Sequence, residues 1–186
     1  MFEKAFKNID NKLRNDDGTS TPIDYIEQTT WILFLRYLHQ MESNKAEEAK
    51  LTNKTYQFIL DEKYRWNTWA VPKKSNGEYD LNKAKTGANL IHFINDELFP
   101  YLGRFKETAS NPKTLEYKIG TIYSTLRNTL ENGYGLRDII ESIDTLKFKN
   151  NEARYELSVL YEERLNKMGN AGRSGGELYT PRAVIK

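Results

Sequence analysis

Residues 21–41 read TPIDYIEQTTWILFLRYLHQM, and this stretch decides the fold. Thr21 followed by Pro22 and Asp24 is a helix start: an oxygen-bearing cap, a proline at the first helical position and an acid in the first turn, where unpaired amides attract negative charge. Behind it Ile26, Trp31, Ile32, Leu33, Phe34, Leu35, Tyr37 and Leu38 cover most of the helix circumference. A helix apolar on nearly every side must lie at the centre of other helices. It is too short and too polar at its ends for a membrane span.

Working outward, Phe2, Phe6, Ile9 and Leu13 recur at helical spacing and stop at the turn-forming Asn15-Asp16-Asp17-Gly18. Tyr56, Ile59, Leu60 and Tyr64 predict a third helix running into Trp66 and Trp69. Residues 67–87 hold Pro72, Asn76-Gly77 and Gly87 and read as a long turn-rich excursion. Leu90, Ile91, Ile94 and Leu98 mark a fourth helix, which Pro100 is expected to end near Phe99. Asn111-Pro112 opens a fifth, carried by Leu115, Ile119, Ile122, Tyr123, Leu126 and Leu130 and stopped at Asn132-Gly133. A sixth is expected from about Gly135 to Leu146 and a seventh from about Asn151 to Met168. Alternating strand patterns are almost absent, so the fold class is all-α, an irregular bundle of about seven helices over residues 1–168. Residues 169–186 form a glycine-rich linker and then, at Thr180-Pro181, the start of a further helix.

The 186 residues include 12 Tyr, 8 Phe and 3 Trp, enough large apolar side chains for a substantial core. With no cysteine, disulfides, thiolate zinc sites and cysteine nucleophiles are excluded. The first fourteen residues are too charged for a signal peptide, and no apolar run approaches a membrane span, so the expected location is cytoplasmic. Net charge is only +2, but residues 63–118 carry 10 basic and 6 acidic groups. That mild excess fits a simple solvated surface as well as a phosphate-binding one; beside Trp66 and Trp69, Arg65, Lys73 and Lys74 are the candidate DNA-phosphate contacts, and Arg104, Lys106, Lys113 and Lys118 could extend the same patch. Trp66 and Trp69 can stack on bases, though core packing is the better reading. His39 and His92 lie on separate predicted helices with no close partner, so no metal site is expected. Adjacent carboxylates such as Glu47-Glu48 point in different directions from a helix and make no acid–base pair.

The run Gly176-Glu177-Leu178-Tyr179-Thr180-Pro181 resembles the Gly-Glu-Phe/Tyr-Tyr-Thr-Pro signature of modification (HsdM-type) subunits of type I restriction–modification systems, which are DNA adenine-N6 methyltransferases. The resemblance extends along the chain through Phe34 to Leu38, Tyr64 to Trp69, Leu136 to Ile140, Ile143 to Leu146 and Val159 to Glu162. Leu178, where the family usually has Phe, is a conservative departure. The resemblance implies a helical N-terminal domain cut before an S-adenosylmethionine-dependent methyltransferase domain, with Tyr179, Thr180 and Pro181 bordering the cofactor pocket. It also implies an assembly of two modification subunits with one specificity subunit, joined by restriction subunits for cleavage, acting on double-stranded DNA.

Adenine methylation needs a flipped base, a hydrogen-bond acceptor for N6 and a stacking ring, supplied in the family by Asn/Asp-Pro-Pro-Phe/Tyr. No Pro-Pro occurs in this sequence, and Asn111-Pro112 is followed by Lys113. The cofactor's glycine-rich strand-to-helix loop is missing too. The expectation is therefore a chain with no catalytic residues of its own and no S-adenosylmethionine binding in isolation, serving DNA enclosure and subunit assembly. The rival is a non-catalytic helical protein–protein interaction module.

Overall fold

A computed structural model describes residues 2–146 and 148. The expected seventh helix, the glycine-rich linker and the Thr180-Pro181 helix start lie outside the described residues. The first helix, α1 (Phe2–Leu13), buries Phe6, Ile9 and Leu13, the stripe its spacing predicts. It packs chiefly on the last described helix, and Lys12 Nζ reaches Asp138 there at 2.7 Å.

The central helix α2 (Pro22–Leu51) starts where expected. Thr21 Oγ1 accepts the Asp24 amide at 3.2 Å, and Asp24 Oδ2 accepts the Thr21 and Ser20 amides at 2.8 and 3.0 Å, a reciprocal cap. Partial burial alone would raise the Asp24 pKa, but these bonds to Thr21 and Ser20 outweigh it and hold the carboxyl below its ordinary value. Trp31, Ile32, Leu35 and Leu38 are almost wholly buried, as an all-round apolar helix requires. The helix runs ten residues beyond Met41, because Lys45 to Lys50 are mostly strong helix formers.

The helix expected at residues 56–64 is absent. Its place is taken by an irregular segment, a 3₁₀ turn over Glu62–Tyr64 and the single turn α3 (Trp66–Trp69). The reason lies on other helices. The Ile59 amide donates to the buried Glu42 carboxylate at 2.6 Å, and the Asp61 amide to the Tyr101 hydroxyl at 2.9 Å, so side chains satisfy backbone donors that a helix would have satisfied locally.

Pro100 does not end the fourth helix. Helical backbone continues from α4 (Gly87–His92) through a π-helical turn (Phe93–Leu98) into α5 (Phe99–Thr108). The Phe99 amide donates to Ile94, five residues back, which widens the turn where the proline ring would otherwise meet the Asp96 carbonyl. A bulge, rather than a break, absorbs the proline.

The fifth predicted helix is shortened at both ends, to α6 (Leu115–Tyr123). Thr114 caps it, while Asn111 Oδ1 accepts the Lys113 amide at 2.8 Å in a turn ahead of the helix. Beyond Tyr123 the chain becomes a strap. Gln28, fully buried on α2, donates to Arg127 O at 3.0 Å and accepts the Thr129 amide at 3.3 Å and the Trp31 indole at 2.9 Å. Asp16 then accepts the amides of Glu131 and Asn132 at 3.0 and 2.9 Å. Gly18 is required beside it, since a Cβ there would stand 1.7 Å from Thr129 O. Asn132-Gly133, expected as a stop, is instead a start: Asn132 Oδ1 accepts the amides of Tyr134 and Gly135, both at 3.1 Å, and caps α7 (Gly133–Asp144).

The layers join around α2. Helices α5 and α6 pack closely, α4 and α1 lie on α7, and Trp31, Phe99 and Tyr123 meet edge to face in the middle, ring centroids 5.1–5.2 Å apart. The Tyr123 hydroxyl donates to Trp31 O at 3.1 Å, and full burial pushes its pKa well up.

Candidate nucleic-acid interface

The excursion at residues 70–87 folds back on itself as a tongue. Lys73 bridges Tyr79 in antiparallel fashion, the Asp80 amide donates to Pro72 O at 2.8 Å, and Gly77 turns the tip with φ of 85°. Arg137 of α7, almost buried, fastens its base: the guanidinium donates to Lys85 O at 3.2 Å and to Ala70 O, and lies 5.7 Å from the Tyr79 ring. Burial pulls the Arg137 pKa down from the usual arginine range, and Tyr79 with the Glu141, Asp144 and Asp138 carboxylates opposes that shift. Lys73 and Lys74 are thereby presented to solvent, Lys74 near Glu78 at 3.8 Å and Lys73 in no ion pair among the described residues.

Trp66 and Trp69 offer no ring to a base, being 2 % and 1 % exposed. Their indoles are spent inside, Trp69 on Tyr64 O at 3.1 Å and Trp66 on Asp144 Oδ1 at 2.7 Å. The same carboxylate oxygen pairs with Arg36 Nε at 2.9 Å, so Asp144 ties α2, α3 and α7 at one point. Burial lowers the Arg36 pKa and Asp144 opposes that shift. Sequence reading missed this knot. Its signal was an arginine set within the apolar run Phe34 to Leu38, where a buried cation demands a partner elsewhere in the chain.

Arg65 is half-buried, its guanidinium 4.0 Å over the Phe58 ring and its Nε donating to Leu60 O at 2.9 Å, so it fastens the segment ahead of α3. Around His39 the local field is positive. Burial first, then the Arg36, Lys73 and Arg65 cations against the opposing Asp144, bring its pKa down to about 4, which leaves it neutral at pH 7.

Arg104 and Lys106 belong to α5 and are exposed. Two residues apart, they point to different sides of the helix and form no joint patch by themselves. Arg104 lines an open groove of about 470 Å³ between α5 and the strap after α6, which Arg127, a residue that sequence reading did not select, lines as well. Lys113 and Lys118 are exposed at the start of α6. Tyr179, Thr180 and Pro181 lie outside the described residues. Among the described residues no three His, Cys, Asp or Glu side chains group as metal ligands, and no helix is long and apolar enough to cross a membrane.

Fold and site together define a helical domain in which charged side chains fasten irregular segments to a central helix and leave cations at a tongue and a groove. The HsdM N-terminal domain model matches residues 2–162, and the chain belongs to that family. It is 32 % identical over all 186 residues to the type I restriction enzyme EcoEI methylase subunit of Escherichia coli, covering 35 % of that protein. Among solved structures it resembles a protein described as the modification subunit of a type I restriction enzyme from Vibrio vulnificus YJ016, at 31 % identity and a TM-score of 0.75, over 98 % of this chain and 38 % of that one. A chain from a type I restriction–modification system, solved to explain complex assembly and conformational transition, matches at 28 % identity and a TM-score of 0.68, over 97 % and 33 %. The chain thus spans about a third of the length of these relatives.

Proposed function

We propose that this domain serves a type I restriction–modification modification subunit by helping to enclose double-stranded DNA and by contacting the specificity subunit and a second modification subunit. The family match from residue 2 to residue 162, in a chain aligned end to end with part of a methylase subunit, carries this reading. Methyl transfer from S-adenosylmethionine to adenine N6 belongs to the part of such subunits that this chain does not span. Tyr179, Thr180 and Pro181 border the cofactor pocket there, and restriction subunits join the assembly for cleavage in the cytoplasm.

DNA contacts from this region fall on phosphate rather than on bases, because both α3 tryptophans are buried and the exposed groups are Lys73, Lys74, Arg104 and Lys106. Sequence reading belongs to the specificity subunit. The test is titration of the chain with duplex DNA across salt. Binding that weakens steeply with salt and ignores base sequence is the expected result, and absence of binding at low salt refutes DNA enclosure. Calorimetry of the isolated chain with S-adenosylmethionine should show no binding; a micromolar complex would place a cofactor site within these residues.

A further inference from the structure

We infer that the groove between α5 and the strap at residues 124–128 is a phosphodiester clamp, in which Arg104 and Arg127 grip one backbone phosphate of duplex DNA from opposite banks. This rests on the DNA-contact reading and gives it a specific site.

The two banks come together because Gly120 of α6 lets that helix close on α5, where a Cβ would stand 1.9 Å from the Lys106 amide nitrogen, and at Gly103 the strap then lies in van der Waals range, 3.6 Å from Tyr123 O to a Cβ position. One end is closed by Asn128 Nδ2 donating to Asn95 Oδ1 at 3.1 Å, and Asn95 stands on the π-helical turn that Pro100 imposes. Gln28 fixes the strap from below through Arg127 O, so the Arg127 backbone is anchored while its side chain is exposed. Neither guanidinium has an ion-pair partner among the described residues. Arg127 makes only a 3.3 Å bond to Leu126 O, and Arg104 makes no side-chain hydrogen bond there.

Three features select the occupant. Two guanidiniums and the Glu107 carboxylate leave one net positive charge in the groove, which a phosphodiester monoanion neutralises and a phosphomonoester dianion does not. Cations on two banks can each take one of the two diverging free oxygens of a tetrahedral phosphodiester in a charge-assisted hydrogen bond. The groove is open, as a polymer passing through requires, and its floor rings Phe99 and Tyr123 are only 6 % and 2 % exposed, so unpaired bases find nothing to stack on.

The experiment compares the chain with its Arg104→Gln/Arg127→Gln, Lys73→Gln/Lys74→Gln and Glu107→Gln variants, each checked for an unchanged thermal melt. The readout is anisotropy of a labelled duplex of arbitrary sequence between about 50 and 200 mM salt. The double arginine variant should bind about tenfold more weakly at the low end, with the salt slope reduced by about 0.9, the value for one phosphate rather than two. Glu107→Gln should bind about twofold more tightly by removal of the opposing charge. Unchanged binding by the double arginine variant overturns the clamp. If the lysine variant is then weakened, DNA contact survives at the tongue alone, and if the unaltered chain fails to bind at low salt, both readings fall. Unchanged DNA binding with lost capture of the specificity subunit would assign the groove to a protein carboxylate instead.

Discussion

Replacing Asp144 by alanine should destabilise the domain more than its position near the end of a surface helix suggests. Asp144 Oδ1 neutralises Arg36, whose side chain is 11 % exposed, and accepts the Trp66 indole at 2.7 Å. Losing one partner of a buried ion pair costs about 3–5 kcal/mol. The Asp144 side chain is itself 28 % exposed, so water reaches the gap and about 2–3 kcal/mol is the better figure for the orphaned Arg36. The stranded indole N–H adds about 1 kcal/mol, for a total of ~3–4 kcal/mol. At about 2–4 °C per kcal/mol for a chain of this size, Tm should fall by roughly 6–16 °C. Urea and thermal melts followed by circular dichroism measure this directly. Trp66→Phe removes the donor together with part of a buried ring packed on Trp69, so it should cost about 2–3 kcal/mol, and about 1 kcal/mol less once Asp144 is already alanine. Arg36→Met in the Asp144→Ala background should restore stability, because the uncompensated charge is then gone. An Asp144→Ala protein within about 1 kcal/mol of the unaltered chain, or no restoration by Arg36→Met, would refute the knot as a stabilising element.

Gly120→Ala should cost about 2–4 kcal/mol in the same melts, since its Cβ would stand 1.9 Å from the Lys106 amide nitrogen and force α5 off α6; a neutral substitution would contradict the close approach. Gln28→Leu should strip hydrogen-exchange protection from the Thr129 amide, whose acceptor it removes, while the α7 amides stay protected. His39 ionises at about 4 in the folded chain against 6.5 when free, so between those values the unfolded state binds more protons. Its contribution to stability is therefore full above pH 6.5 and lost as pH falls toward 4. Glu42 has the opposite sign, burial having raised its pKa. His39→Gln should flatten the decline of stability between pH 6.5 and 4, and an unaltered slope would remove His39 as its source.

The local signals that survived folding are those whose partners lie within a few residues. The reciprocal cap at Thr21 and Asp24, the buried stripe of α1 and the all-round burial of α2 needed only helical periodicity, and so did the apolar face of α7. The resemblance to modification subunits was also legible, and the match to the family model upholds it. The candidate interface was legible in part. Lys73 and Lys74 stand out on a turn-rich stretch, but Arg127 was hidden inside a predicted helix, and its pairing with Arg104 across a groove depends on where that helix stops.

Sequence alone therefore determined the class of fold, the position of the central helix, the aromatic core and the family. Tertiary structure decided where helices end. Residues 54–61 and 126–132 carry apolar spacing suited to helix, yet Glu42, Gln28 and Asp16 reach their backbone amides from other elements and hold them extended or irregular. Arg137 does the same for the tongue through its carbonyls, and the π-helical turn lets helix continue through Pro100. The physical reason is common to all of them. A buried backbone group must find a partner, and when a polar side chain distant in sequence supplies it, local propensity no longer sets the conformation.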